Sequence, residues 1–151
     1  MSAAQVADFT LPATSGQTFT LSALRGKTVV LYFYPKDNTP GCTAEAAEFR
    51  DLYADFLAAN AVVVGISRDS LKSHENFKAK QNLPFELLSD AEASLCRQFA
   101  VLKTKKLYGK EVMGIERSTF VIDATGALRR EWRGVKVEGH AREVLDYVKT
   151  L

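Results

Sequence analysis

Thr28-Val-Val-Leu-Tyr-Phe-Tyr34 and Ala61-Val-Val-Val-Gly-Ile66 are two continuous β-branched and aromatic runs, and what lies between them decides the fold. Each run suits a strand covered on both faces, because neither alternates with polar residues that could face water. In the intervening segment Ala46, Phe49, Tyr53 and Phe56, with Leu52 and Leu57 beside them, recur at spacings of three and four. That is the helical period, and Glu45, Glu48, Arg50, Asp51 and Asp55 fall mainly on the other side. Strand, crossover helix and strand make a parallel βαβ unit, right-handed by rule.

Upstream, Phe9-Thr-Leu11 and Thr18-Phe-Thr20 read as a short hairpin around Ser15-Gly16, followed by a helical turn that Gly26 ends. Downstream, the pattern predicts a helix from about Leu71 to Gln81, stopped near Pro84, and another from about Ala91 to Phe99 after the cap signal Ser89-Asp90. Lys103 to Glu111 is the longest poorly patterned stretch. Arg117-Ser-Thr-Phe-Val-Ile122 and Leu128-Arg-Arg-Glu-Trp132 flank a turn at Asp123-Ala-Thr-Gly126, and His140 to Leu151 closes the chain as a helix carrying Val144, Leu145 and Val148. A βαβ unit followed by ββα is the order of an α/β, thioredoxin-like fold, with a mixed central sheet flanked by helices and preceded by an N-terminal β-hairpin. The 151 residues fit one domain, residues 1–151, with no repeat and no linker.

Composition narrows the function. Lys plus Arg number 20 against 18 for Asp plus Glu, and the basic residues are scattered, which argues against nucleic acid or an anionic membrane as the main partner. The N-terminus has neither a basic start nor a long apolar run, and no stretch has the length to cross a bilayer, so a soluble cytoplasmic protein is expected. Two cysteines are too few for a secreted disulfide scaffold; in a reducing compartment each is packed, catalytic or redox-sensing.

The segment that carries chemistry is Tyr34-Pro-Lys-Asp-Asn-Thr-Pro-Gly-Cys-Thr-Ala-Glu-Ala46, between the first core strand and the first helix. Reacting groups in open α/β sheets gather beyond the carboxyl ends of the strands, where helix N-termini also point free amides. Thr39 before Pro40 resembles an N-cap with proline at the first helical position, which puts Cys42 in the first turn. There the macrodipole and unpaired amides favour a thiolate, and Gly41 lets another group approach closely. Position alone leaves two readings open, a nucleophile or a small buried apolar residue. A Cys-His hydrolase lacks support, since His74 and His140 both read as belonging to surface helices. No close Cys/His pairing of the zinc-site kind occurs. A dithiol oxidoreductase would need Cys-x-x-Cys, and Glu45 stands at the second cysteine's place.

Pro35, Thr39, Pro40, Gly41, Cys42, Thr43, Glu45 and Ala46 match Pro-x-x-x-Thr-Pro-Gly-Cys-Thr-x-Glu-Ala, and the segment resembles the peroxiredoxins, specifically the bacterioferritin comigratory protein or Q-type branch. Ala7-Asp-Phe-Thr-Leu11, Leu88-Ser-Asp90, Tyr108-Gly109 and Met113-Gly-Ile-Glu-Arg-Ser-Thr-Phe120 extend the likeness over essentially the whole chain. The resemblance implies a thiol peroxidase in which Cys42 attacks a hydroperoxide, Thr39 hydrogen-bonds it, Pro35 shields the thiolate and Arg117 supplies the pocket's guanidinium. Glu45 would orient Arg117 from behind. No metal, haem or flavin is implied. The partners implied are hydrogen peroxide or an organic hydroperoxide and a thiol reductant, thioredoxin, glutaredoxin or a small thiol, acting on a chain of a branch that tends to monomers, with a weak dimer as the alternative.

Many members of that branch place a resolving cysteine five positions after the peroxidatic one, where this chain has Ala47. A second group places it nearer to Lys78, again without a cysteine here. Cys96 remains, and Leu95 and Phe99 beside it suggest a half-buried structural thiol. One-cysteine behaviour with an external thiol is therefore favoured, and a Cys42–Cys96 disulfide is the runner-up. A peroxide sensor or a chaperone leaves no distinctive residue.

Overall fold

The structure is a computed structural model that describes residues 4–151, less the side chains of Lys105 and Leu107. A hairpin of β1 (Thr10–Pro12) and β2 (Thr18–Thr20) and a 3-10 turn (Leu21–Leu24) precede the core strand β3 (Thr28–Phe33). Then follow α1 (Pro40–Ala58), β4 (Ala61–Ser67), α2 (Leu71–Gln81), β5 (Leu87–Ser89) and α3 (Ser94–Gln98). The chain ends with β6 (Leu102–Leu107), β7 (Lys110–Ile115), β8 (Ser118–Ile122), β9 (Leu128–Arg133) and α4 (His140–Val148). Five strands form the central sheet in the order β5-β4-β3-β8-β9; β3, β4 and β5 run parallel, and β8 and β9 are antiparallel to their neighbours.

All six residues of β3 are buried, and their alternation divides the interior. Val30 and Tyr32, with Tyr34 beyond the strand end, face one core with Cys42, Ala46, Phe49 and Phe56 of α1, Phe77 of α2, and Val144, Leu145 and Val148 of α4. Val29, Leu31 and Phe33 face the other, with Leu95 and Cys96 of α3, Phe99, Phe120 and the N-terminal segment. The period of two in a strand forces this partition, since successive side chains leave opposite faces. Gly65 sits in the middle of β4 opposite Tyr32, and a Cβ there would meet Tyr32 Cζ at 2.8 Å. The glycine makes room for the stack of Tyr32 on Phe49, whose centroids are 4.7 Å apart.

Several sequence expectations need correction. Lys103 to Glu111 is ordered as most of the β6–β7 ribbon, which pairs with itself and not with the central sheet. Its strands hide little apolar surface, so no period-two signal marks them. The third helix is confined to Ser94–Gln98, because Ala93 takes φ 61° and the Asp90 carboxylate accepts from the amides of Leu95 and Cys96. His74 and His140 are buried, at 0% and 6% exposure, each with polar partners that substitute for water. Cys96 is fully buried, not half-buried.

Candidate active site

The loop after β3 delivers the chain to the N-terminus of α1. Thr39 is the N-cap residue in extended backbone, Pro40 occupies the first turn, and Cys42 follows, 2% exposed. The Thr39 side chain makes no cap bond, contrary to the sequence expectation. Its hydroxyl donates to the carbonyl of Lys36 at 2.9 Å, while its own carbonyl accepts from the amide of Thr43 at 2.9 Å. With its proton committed to Lys36, Thr39 Oγ1 keeps lone pairs free to accept.

Arg117 enters from the residue just before β8, and its fork is split between two partners. Nη2 lies 3.3 Å from Sγ of Cys42, and Nη1 lies 2.6 Å from Oε1 of Glu45. Gly41 is what allows this: a Cβ there would stand 3.2 Å from Nη2 of Arg117. Burial works against the charge on Arg117, but Glu45 and Cys42 more than offset it, so its pKa lies above the ordinary arginine value. Glu45 is 1% exposed, on the apolar side of α1 and not on the polar side where its charge suggested. It lies three residues after Cys42 and four before Phe49, a spacing that could have signalled this. Burial pushes its carboxyl up to about 7 against the pull of Arg117, and its second oxygen has no hydrogen-bond partner among the described residues.

Pro35 is exposed at the head of the loop. Cys96 is remote from this group, in the core on the opposite face of the sheet. Burial, then the neighbouring Asp90 carboxylate, pushes its thiol far above the ordinary range. Sequence reasoning did not single out Asp37, the one buried residue between Tyr34 and Cys42, nor its contact with His74. A lone aspartate in a polar loop carries no such signal. Among the described residues only Asp37, Asp69 and His74 lie close enough together to suggest a metal cluster, and both ring nitrogens of His74 are already occupied, Nδ1 by the Asp37 carboxylate and Nε2 by the carbonyl of Leu88. No described helix is long and apolar enough to cross a membrane.

The arrangement is a buried thiol in the first turn of a helix, a guanidinium in contact with it, and a free hydroxyl acceptor nearby in the chain. It can stabilise a thiolate and the negative charge that leaves it. Residues 3–131 match the model of the AhpC/TSA family. Peroxiredoxin Bcp of Bacillus subtilis is 53% identical over 144 residues, covering 95% of this chain and 92% of its own. A structure of the bacterioferritin comigratory protein of Xanthomonas campestris, studied for alkyl peroxide reduction, superposes with a TM-score of 0.90 at 49% identity, covering 94% of this chain and 90% of that one. A Xylella fastidiosa PrxQ mutant gives 0.92 at 46% identity, with 99% and 96% covered.

Proposed function

The chain belongs to the AhpC/TSA family, in its peroxiredoxin Bcp branch, and is a thiol-dependent peroxidase; from that premise we propose that Cys42 attacks the peroxide and that an external thiol restores it. The observation that carries the assignment is the 3.3 Å contact between the Arg117 guanidinium and Sγ of Cys42 at the start of α1. The thiolate attacks the terminal oxygen of ROOH, a sulfur–oxygen bond forms as the oxygen–oxygen bond breaks, and the departing alkoxide or hydroxide takes a proton to leave as alcohol or water. Arg117 neutralises charge as it moves from sulfur to the leaving oxygen, which is where a preorganised donor accelerates reaction. Thr39 Oγ1 accepts from the hydroperoxide O–H and holds it in line, and Glu45 fixes the Arg117 fork. Pro35, exposed at the head of the loop, is assigned to shield the thiolate by the family motif alone. Organic hydroperoxides are expected substrates alongside hydrogen peroxide, in keeping with the alkyl peroxide activity of the Xanthomonas relative.

Two features support resolution by an external thiol. Cys42 and Cys96 belong to cores on opposite faces of the sheet. Cys96 is also held as a neutral thiol, a poor attacking group. The sulfenic acid then condenses with a thiol R′SH to a mixed disulfide, releasing water, and a second R′SH frees Cys42 and leaves R′S–SR′. Mass spectrometry after one equivalent of peroxide tests this. A gain of about one oxygen at Cys42 is expected, and a loss of about two hydrogens joining Cys42 to Cys96 refutes it. Cys42→Ser abolishes peroxide consumption; retained consumption refutes the assignment of Cys42.

A further inference from the structure

The loop from Pro35 to Thr39 aims the Thr39 hydroxyl, yet it has no regular structure, and Pro35, Lys36 and Asn38 are exposed. Asn38 takes φ 63°. What fixes the loop is Asp37, 4% exposed. Its Oδ1 accepts from Tyr34 Oη at 2.6 Å; its Oδ2 accepts from Ser73 Oγ at 2.8 Å and from His74 Nδ1 at 2.7 Å. Its amide donates to Asp69 Oδ2 at 2.9 Å. Nε2 of His74, on the far side of the ring, meets the carbonyl of Leu88 at 2.9 Å. A carbonyl cannot donate, so Nε2 carries a hydrogen. Burial alone would push Asp37 up, but the bonds from His74, Tyr34 and Ser73 hold it below the usual carboxylate range. Asp37 is thus the common partner of Tyr34, Ser73 and His74, and the His74 ring bridges its carboxyl group to the carbonyl of Leu88.

A buried polar pair is a weak device for stability, because desolvation offsets most of its attraction. It does fix geometry. This pair links β5 and α2 to the residue next to Lys36, whose carbonyl orients Thr39. We propose that Asp37 and His74 are positioning residues for peroxide reduction, a buried clasp between the loop before Cys42 and α2 that sets the aim of the Thr39 hydroxyl. This rests on the reading in which Thr39 holds the peroxide and Cys42 attacks it. Cys42 itself is held by α1 and Arg117, outside the clasp.

Asp37→Asn and His74→Phe separate the two effects. Each is expected to lower kcat/KM for hydrogen peroxide at least 10-fold, while alkylation of Cys42 by iodoacetamide, which requires the thiolate but no aimed hydroxyl, stays within 2-fold of the parent. The folded state is checked by circular dichroism. Folded variants with peroxide kinetics within 2-fold of the parent overturn the proposal, and so does a parallel fall in both reactions. If either variant does not fold, Tyr34→Phe and Ser73→Ala decide, since each removes one hydrogen bond to Asp37 without changing charge. A 3- to 10-fold loss confined to the peroxide reaction supports the clasp, and unchanged kinetics overturn it. Activity surviving in Cys42→Ser would refute the underlying reading instead, so the two failures are distinct.

Discussion

Replacing Arg117 with lysine tests whether the fork, and not charge alone, drives peroxide reduction. The guanidinium serves Cys42 at 3.3 Å through Nη2 and Glu45 at 2.6 Å through Nη1, whereas an ammonium is a point charge that can occupy one of the two seats. At an effective dielectric near 20, unit charges at the 3.3 Å separation attract by about 5 kcal/mol. Glu45, titrating at about 7, is roughly half ionised at neutral pH and cancels part of that attraction. Roughly 3–4 kcal/mol is then at stake if the lysine settles against Glu45, which converts to a fall on the order of 10²–10³ in kcat/KM. The assay is initial-rate hydrogen peroxide consumption at pH 7 with dithiothreitol as reductant, across a range of peroxide concentrations. A folded Arg117→Lys protein within 5-fold of the parent would show that the split contact does not carry the chemistry.

Gly41→Ala places a methyl 3.2 Å from Nη2 of Arg117 and is expected to cost about 10-fold in kcat/KM while changing stability by no more than about 1 kcal/mol, because alanine favours the helix; equal kinetics would refute the close approach. Gly65→Ala collides with Tyr32 at 2.8 Å and is expected to lower unfolding free energy in urea by about 1–3 kcal/mol; an unchanged midpoint would refute the packing argument. Burial lowers His140 from 6.5 to about 4, so the unfolded chain binds its proton first, and this residue's contribution is lost as pH falls from 6.5 towards 4, by roughly 2–3 kcal/mol. Glu45 acts in the opposite sense, because its folded value of about 7 lies above 4.5 and favours folding as pH falls through that window. Urea midpoints at pH 7.5 and pH 4.5 are therefore compared between the parent and His140→Gln. The variant should lose less stability on acidification, and equal losses would refute the assignment of neutral His140.

The βαβ unit was legible because β3 and β4 are buried on both faces and α1 has an amphipathic repeat, so burial wrote itself into residue type. The contact of Arg117 with Cys42 could be anticipated only through a motif, since one arginine before a strand signals nothing alone. Three kinds of feature stayed hidden. The β6–β7 ribbon shields little apolar surface, so its residues are free to be lysine. Glu45, His74 and His140 are polar residues on buried faces, where a pattern reader expects water; the spacing of Glu45 to Cys42 and Phe49 could have signalled its burial, whereas the partners of the two histidines come from other elements and no local spacing records them. Asp37 meets its partner His74 on α2, and only the folded chain brings the two together.

The partition made by the alternation in β3 has a kinetic meaning. Thiol chemistry requires sulfur to touch sulfur, and a closed layer of paired strands is a wall through which no side chain reaches. On the proposal that an external thiol restores it, an oxidised Cys42, with Cys96 behind that wall, has solvent as its outlet, and regeneration is first order in whatever thiol arrives. Such a catalyst keeps time with its surroundings: where reductant is plentiful it cycles, and where reductant is scarce it waits in the oxidised form, so the fraction oxidised records the balance between peroxide and thiol supply.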